Sequence, residues 1–470
     1  MLFAFWRRWN RRKVEKPRRD RSSPSGRTVL TVERLECRDL LTTVNPLSLL
    51  EPATGSATPQ STPGPIGYTP AQIAHAYGFS QIYFNNGAVK GDGSGQTIAI
   101  VTAYDDPTIA SDLHQFDVAF GLPDPGFTKV NQTGGSTMPV ANLSWANETA
   151  LDVEWAHAMA PGAKILLVEA NSSGNSDLFQ GVQYAARQPG VSVVSMSWGT
   201  AEFSGEASND NTFTTPSGHQ GVSFVASAGD TGAAPLYPAV SPNVLGVGGT
   251  TLSLNGSSYG SESAWTFGSG GISTIEARPS YQNGIVPQSN RTSPDVAYDA
   301  NPGTGFAVYS SYGNSASAPW ILMGGTSAGV PQWAALIAIA NQGRALKGLG
   351  TLNGRTQLLP MLYQLPSSDF HDIVSGNNFG APQYWAGPGY DLVTGRGSPY
   401  ADRIVAALSG QPLFGPPGGN ASPSPSVSAD GFVLNLSNPF DAMAQDALFI
   451  VRGWLSANLN MIFEGLSNVQ

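Results

Sequence analysis

Gln96-Thr-Ile-Ala-Ile-Val-Thr102 is a seven-residue run of mostly apolar, β-branched side chains, and the rest of the chain is best read outward from it. Apolar residues at successive rather than alternate positions predict a strand covered on both faces, as in a parallel sheet. Three further runs have the same character: Ala163–Glu169 (AKILLVE), Val191–Ser197 (VSVVSMS) and Gly221–Ser227 (GVSFVAS). Helix-like segments lie between them at Pro107–Phe120, Asn147–Ala160 and Ser176–Gln188. Such alternation predicts an α/β fold, a doubly wound, mostly parallel sheet with helices on both faces.

The flanks are different in kind. Residues 1–38 carry 12 of the 24 Lys and Arg but only 4 of the 33 Asp and Glu, so the remaining chain has a formal charge of −17 within a total of −9. A body that acidic is not built for nucleic acid. The first 50 residues read as a basic leader; residues 51–66 and 411–429 read as linkers rich in Pro, Gly, Ser and Thr; residues 430–470 form a tail with no predicted membrane span. Within the leader, Val32-Glu-Arg-Leu-Glu-Cys-Arg-Asp-Leu-Leu-Thr42 resembles the short LEPR-xLL-type segment of exported bacterial surface proteins, which implies an extracellular or cell-surface location. Cys37 is the only cysteine, so no disulfide forms within the chain. The catalytic-size body is expected at 67–410, acting as a monomer.

Chemistry begins at Gly324-Gly-Thr-Ser-Ala-Gly-Val-Pro331, followed by the apolar helix Gln332–Asn341. A serine at a glycine-rich turn from strand to helix can present its hydroxyl beside unpaired helix N–H groups, which suit a developing anion. The plainer alternative is a serine that caps the helix. A nucleophilic serine needs a base, yet none of His75, His114, His157, His219 and His371 lies in the His-Gly-Thr-His setting of a subtilisin.

Carboxyls stand there instead. In Asn147-Glu-Thr-Ala-Leu-Asp-Val-Glu-Trp, with Asn147 as the expected N-cap, Glu148 and Asp152 are four apart and share a helix face. Two adjacent carboxyls suggest a shared proton and a raised pKa, although Glu148 near a helix N-terminus would also answer the macrodipole. A third carboxyl closes the run Phe224-Val-Ala-Ser-Ala-Gly-Asp230, where a subtilisin has Ala-Gly-Asn with the amide as oxyanion donor. An aspartate can donate there only when protonated; read alone, Asp230 is an ordinary turn residue.

Glu148-x-x-x-Asp152, Ala228-Gly-Asp230 and Gly325-Thr-Ser327, in that order, resemble the sedolisin (serine-carboxyl peptidase) family and its kumamolisin branch. Ala158-Met-Ala-Pro-Gly-Ala-Lys164, Ser195-Met-Ser-Trp-Gly199, Tyr237-Pro-Ala-Val-Ser-Pro242, Gly248-Gly-Thr250 and Pro294-Asp-Val-Ala297 extend the likeness from about Gly67 to Leu408. The resemblance implies a subtilisin-like fold and an acid-acting endopeptidase of polypeptide substrates. It implies Ser327 as nucleophile, Glu148 as base and acid, Asp152 orienting Glu148, and Asp230 in the oxyanion hole. It also implies one structural Ca2+ held by Asp372, Asp391 and the carbonyls of Ile373, Gly387 and Gly389, a hard-cation donor set that bare spacing would leave as two turns. Ser197, Trp198, Gly199 and Gly271 are expected along the substrate channel, with core packing as the alternative for Trp198.

Two departures stand out. Members of the family carry a long N-terminal propeptide domain, where some 66 residues precede the body here. Relatives near kumamolisin place a supporting glutamate at the end of the first strand, where this chain has Thr102, with Asp105 and Asp106 nearby. A non-catalytic binding protein on the same fold is the rival reading. It predicts loss of one of the four catalytic-type residues, and all four are present.

Overall fold

The computed structural model describes residues 61–232 and 234–415, together with the backbone pairing of Asn45–Pro46 and Leu49–Leu50. The leader, most of the first linker, the second linker beyond Gly415 and the tail lie outside the described residues, as does the LEPR-xLL-like segment.

The predicted strands all form. Eight make the central sheet: β1 (Thr97–Ala103), β2 (Phe127–Asn131), β3 (Lys164–Ala170), β4 (Val191–Met196), β5 (Ser223–Ser227), β6 (Leu245–Asn255), β7 (Ser258–Ala264) and β8 (Val296–Asp299). Their order is β7-β6-β5-β4-β1-β3-β2, with β8 also paired to β6. Every pairing is parallel except the β6–β7 hairpin. Sequence reading missed β2, β6, β7 and β8; the FTKVN of β2 is neither apolar nor alternating.

Four helices cover the sheet: α1 (Ile109–Phe120), α2 (Leu143–Met159), α3 (Asn175–Ala186) and α4 (Thr326–Leu346). α3 closes one face, where Val101, Val168, Phe179, Val182, Met196 and Trp198 share a core. α2 and α4 pack on each other and on the sheet. All but two residues of α2 are buried, which accounts for its weak amphipathic pattern. α4 lies close to the sheet because residue 329 is glycine: a Cβ there would come within 2.6 Å of Tyr298 Cβ and 2.9 Å of Val247 Cγ1.

Gln81–Lys90 and Pro412–Gly415 belong to a second, small unit, in which Tyr83–Phe84 pairs antiparallel with Val89–Lys90 and Tyr83 bridges to Phe414. Among the described residues, no helix is long and apolar enough to cross a membrane.

Candidate active site

Ser327 is reached from strand Trp320–Gly324 through a turn at Gly325, whose φ of +103° favours glycine. α4 starts at Thr326, so Ser327 lies inside its first turn rather than capping it, and the helix begins six residues before the expected Gln332. Pro331 sits four residues on and has no N–H to give the Ser327 carbonyl. That carbonyl instead faces Ser197 Oγ at 3.4 Å.

Glu148 and Asp152 sit on α2, both fully buried. The helix begins five residues earlier than expected: its N-cap is Asn142, whose side chain accepts from Trp145 N at 3.2 Å, and not Asn147. Asn147 Oδ1 instead accepts from Ser310 Oγ (2.7 Å) and Asn314 Nδ2 (3.1 Å). Glu148 therefore lies in the second turn, beyond the strongest macrodipole effect. Asp152 Oδ1 accepts from Ser197 Oγ at 2.5 Å and Oδ2 meets no donor. Burial pushes its pKa well up, opposed by the Ser197 hydrogen bond. Ser327 Oγ in turn faces the Ser197 carbonyl at 3.4 Å. Ser197, which β4 delivers at its end, thus joins the acidic helix to the serine-bearing one.

Asp230 follows β5. Its Oδ1 accepts from Thr326 N (2.8 Å) and Thr326 Oγ1 (2.7 Å), and Thr326 Oγ1 accepts from Gly229 N (3.1 Å). Asp230 Oδ2 is buried without a partner. Burial raises this carboxyl to about 7 despite the two Thr326 hydrogen bonds. A carboxyl with one oxygen anchored and the other unsatisfied, beside a helix N-terminus, is arranged to carry a proton and donate it.

Thr102, where the resemblance would have a glutamate, bonds no carboxyl among the described residues: Thr149 Oγ1 donates to Thr102 Oγ1 at 3.1 Å. Asp105 and Asp106 do not replace it. Asp105 is ion-paired with Lys129, and Asp106 Oδ1 accepts from Thr108 N at 3.0 Å. His157 shares α2 but turns to Asp117 (3.2 Å) and to the Pro123 carbonyl (2.8 Å).

Of the expected channel residues, Trp198 and Gly199 lie on the short strand Trp198–Ala201 and Gly271 opens strand Gly271–Ala277. The Trp198 side chain is core: it is 1% exposed, its Nε1 donates to the Val101 carbonyl at 2.8 Å, and it packs near Phe179. Only its backbone is left for a ligand. Asn45–Pro46 pairs antiparallel with Trp198–Gly199, and Leu49–Leu50 pairs antiparallel with Met323–Gly324.

Asp372 and Asp391 each accept from an N–H of the Gly387–Gly389 turn. Both Asp372 oxygens face Gly389 N at 3.0 Å, while Asp391 Oδ2 accepts from Gly387 N at 3.2 Å and from Thr394 Oγ1 at 2.9 Å. Ile373 beside them is buried. Two carboxylates bonded to one Gly-Pro-Gly loop are donors of the kind a hard cation takes, with carbonyls completing its shell. Among the described residues, no group of three or more His, Cys, Asp or Glu side chains could hold a metal ion.

A doubly wound parallel sheet with a serine at the N-terminus of the helix after a Gly-rich turn defines the subtilisin-like class, and residues 129–352 match the Subtilase family. Within that class, the chain is similar to members of the sedolisin family. It is 35% identical over 379 residues to kumamolisin of Bacillus sp. (strain MN-32), covering 73% of this chain and 64% of that protein. It is 30% identical over 344 residues to sedolisin of Pseudomonas sp. (strain 101), covering 64% of this chain and 56% of that one. The solved structure of Pseudomonas sedolisin, a serine-carboxyl proteinase complexed with two molecules of pseudo-iodotyrostatin, superposes with a TM-score of 0.63 at 27% identity, covering 75% of this chain and 99% of that chain. The chain thus spans a little under two thirds of the length of kumamolisin.

Proposed function

We propose that this protein is a serine-carboxyl endopeptidase that hydrolyses polypeptides at acidic pH outside the cytoplasm. Ser327 Oγ attacks the scissile carbonyl and passes its proton to Glu148, which later protonates the leaving amine. Asp152, held by Ser197, orients Glu148. Asp230 donates its proton's hydrogen bond to the oxyanion, aided by the α4 N-terminus. The peptide runs along the backbone of Trp198–Gly199 and past Gly271. Asp372, Asp391 and the carbonyls of Ile373, Gly387 and Gly389 would hold Ca2+, which would supply structural cross-linking of the loop.

One observation carries this reading: the Asp230 carboxyl, anchored through Oδ1 to Thr326, keeps a buried, unpartnered Oδ2 beside Ser327. An ordinary turn aspartate has no use for that arrangement. The test is hydrolysis of a denatured protein by the purified chain across pH, beside Ser327→Ala. Turnover at acidic pH that Ser327→Ala abolishes is the expected result; undiminished turnover in that variant rejects the serine mechanism.

A further inference from the structure

Among the described residues, the exposed phenylalanine and tryptophan side chains are Phe267 (46%), Phe379 (64%) and Trp385 (64%), and they lie on two neighbouring segments. Apolar side chains scattered singly over a surface need no explanation, whereas aromatic ones gathered together do. Phe267 and Phe379 meet edge to face with ring centroids 5.4 Å apart. Phe267 also leans on the buried Trp265, at 5.8 Å.

The segment that carries Phe379 and Trp385 is a small hairpin. Asn377 bridges antiparallel to Trp385. Asn378 N donates to the Tyr384 carbonyl at 3.2 Å, and Tyr384 N donates to Asn378 Oδ1 at 2.8 Å. Asn378 is buried, so the hairpin is fastened to the body while its neighbour Phe379 stands exposed.

The hairpin touches the proposed channel at both ends. At one end, Phe379 N donates to the Thr266 carbonyl at 2.9 Å, and Gly232 N donates to the Phe267 carbonyl at 2.6 Å. Gly232 is two residues beyond Asp230, and a Cβ on it would lie 3.2 Å from Phe379 Cβ. At the other end, the Tyr384 ring lies over Gly271, where a Cβ would come within 2.8 Å of Tyr384 Cε2. The φ of +142° at Gly271 also favours glycine. The aromatic cluster therefore reaches from the loop of Asp230 to the strand that Gly271 opens.

Its surroundings carry no charge in sequence: residues 263–275 and 373–390 contain no Asp, Glu, Lys or Arg. Such a surface offers contact area and ring edges but nothing to pair with an ionised group. It suits a bulky apolar side chain and penalises a charged one.

We propose that Phe267, Phe379 and Tyr384 form an aromatic wall of the substrate channel, which takes a bulky apolar side chain of the peptide beside the scissile bond. The inference rests on the peptidase reading and names the substrate class of that same site. The occupant is substrate rather than a second copy of the chain, because the cluster is joined at both ends to residues of the channel. These residues select which bond is presented; they take no part in moving its protons.

The experiment measures kcat/KM for peptides that differ only in the two residues flanking the cleaved bond (Phe, Leu, Ala, Glu or Lys), with mass spectrometry locating each cut. The parent should prefer Phe or Leu to Ala at one of those positions by about tenfold or more, and to Glu or Lys by a wider margin. In Phe379→Ser and Phe267→Ser that ratio should fall at least about fivefold, while Phe379→Leu should keep most of it. Melting temperatures should stay near the parent's, because both side chains are exposed. A parent with no preference at either position, or a preference that survives in both serine variants, would overturn the proposal. Self-association of the parent that Phe379→Ser abolishes, with selectivity unmoved, would likewise overturn it and assign the aromatics to a contact between copies. Calorimetric binding of the same peptides to Ser327→Ala gives a readout that needs no turnover. Should the parent hydrolyse nothing at any pH, the peptidase reading fails, while tighter binding of Phe- than of Ala-flanked peptides, lost on adding Phe379→Ser, still upholds the wall and equal binding rejects it.

Discussion

Ser197 Oγ donates to Asp152 Oδ1 at 2.5 Å, and the carbonyl of that same serine faces Ser327 Oγ at 3.4 Å. A single residue at the end of β4 therefore touches both the acidic helix and the nucleophile. Ser197→Ala should leave Asp152 Oδ1 buried without a donor, at a cost of about 1–3 kcal/mol in unfolding free energy. Turnover should fall with it, because Asp152 loses its fixed orientation. Chemical denaturation together with steady-state kinetics reads both effects. Unchanged stability and rate would show that the contact is incidental.

Glu148→Ala should lower kcat by on the order of 10⁴-fold or more while the melting temperature stays near the parent's, since removing either half of a nucleophile–base unit disables the whole. The double variant with Ser327→Ala should be little worse than either single one. Additive losses would indicate that the two do not act together.

Asp230 gives a pH prediction with a definite sign. Its folded value, raised by burial to about 7, lies far above the ordinary 3.8. Its proton stabilises the fold fully below the ordinary value, and that contribution is lost as pH rises through about 7. Activity should decline over the same limb, because an ionised Asp230 repels the oxyanion. Maximal hydrolysis is expected below about pH 6. Asp230→Asn donates at any pH and should carry the surviving activity toward neutrality. An unchanged alkaline limb in that variant would assign the decline to another group.

Calcium should raise the melting temperature and a chelator should lower it, by the linkage between ligand binding and folding. Asp372→Ala or Asp391→Ala should erase that response. Differential scanning calorimetry with and without chelator is the measurement; a parent melting point indifferent to both additions would reduce residues 372–391 to turns.

The sheet was legible because β1, β3, β4 and β5 are buried on both faces and so appear as mostly apolar runs without alternation. α2 misled at its start for a related reason. Nearly every side chain in it is buried, so no polar face marks where it begins, and Asn142 rather than Asn147 caps it. The site residues could be found as short motifs, but the groups that set them in place could not. Thr326 is next to Ser327 in sequence, yet its hydrogen bonds to Asp230 cross 96 positions. Ser197 and Asp152 are 45 apart. Neither distance leaves a period for sequence reading to catch. Trp198 shows the converse: placed by its neighbours along the channel, it spends its indole on the core.

The antiparallel pairing of Asn45–Pro46 with Trp198–Gly199 has a thermodynamic consequence for any incoming peptide. That edge already has a β-partner, and the partner is tethered. A covalently linked strand competes at an effective concentration on the order of millimolar, whatever the dilution of the protein. A free peptide that binds along this edge, as proposed, would have to displace it, so its measured affinity would be its intrinsic affinity divided by the strength of this internal rival.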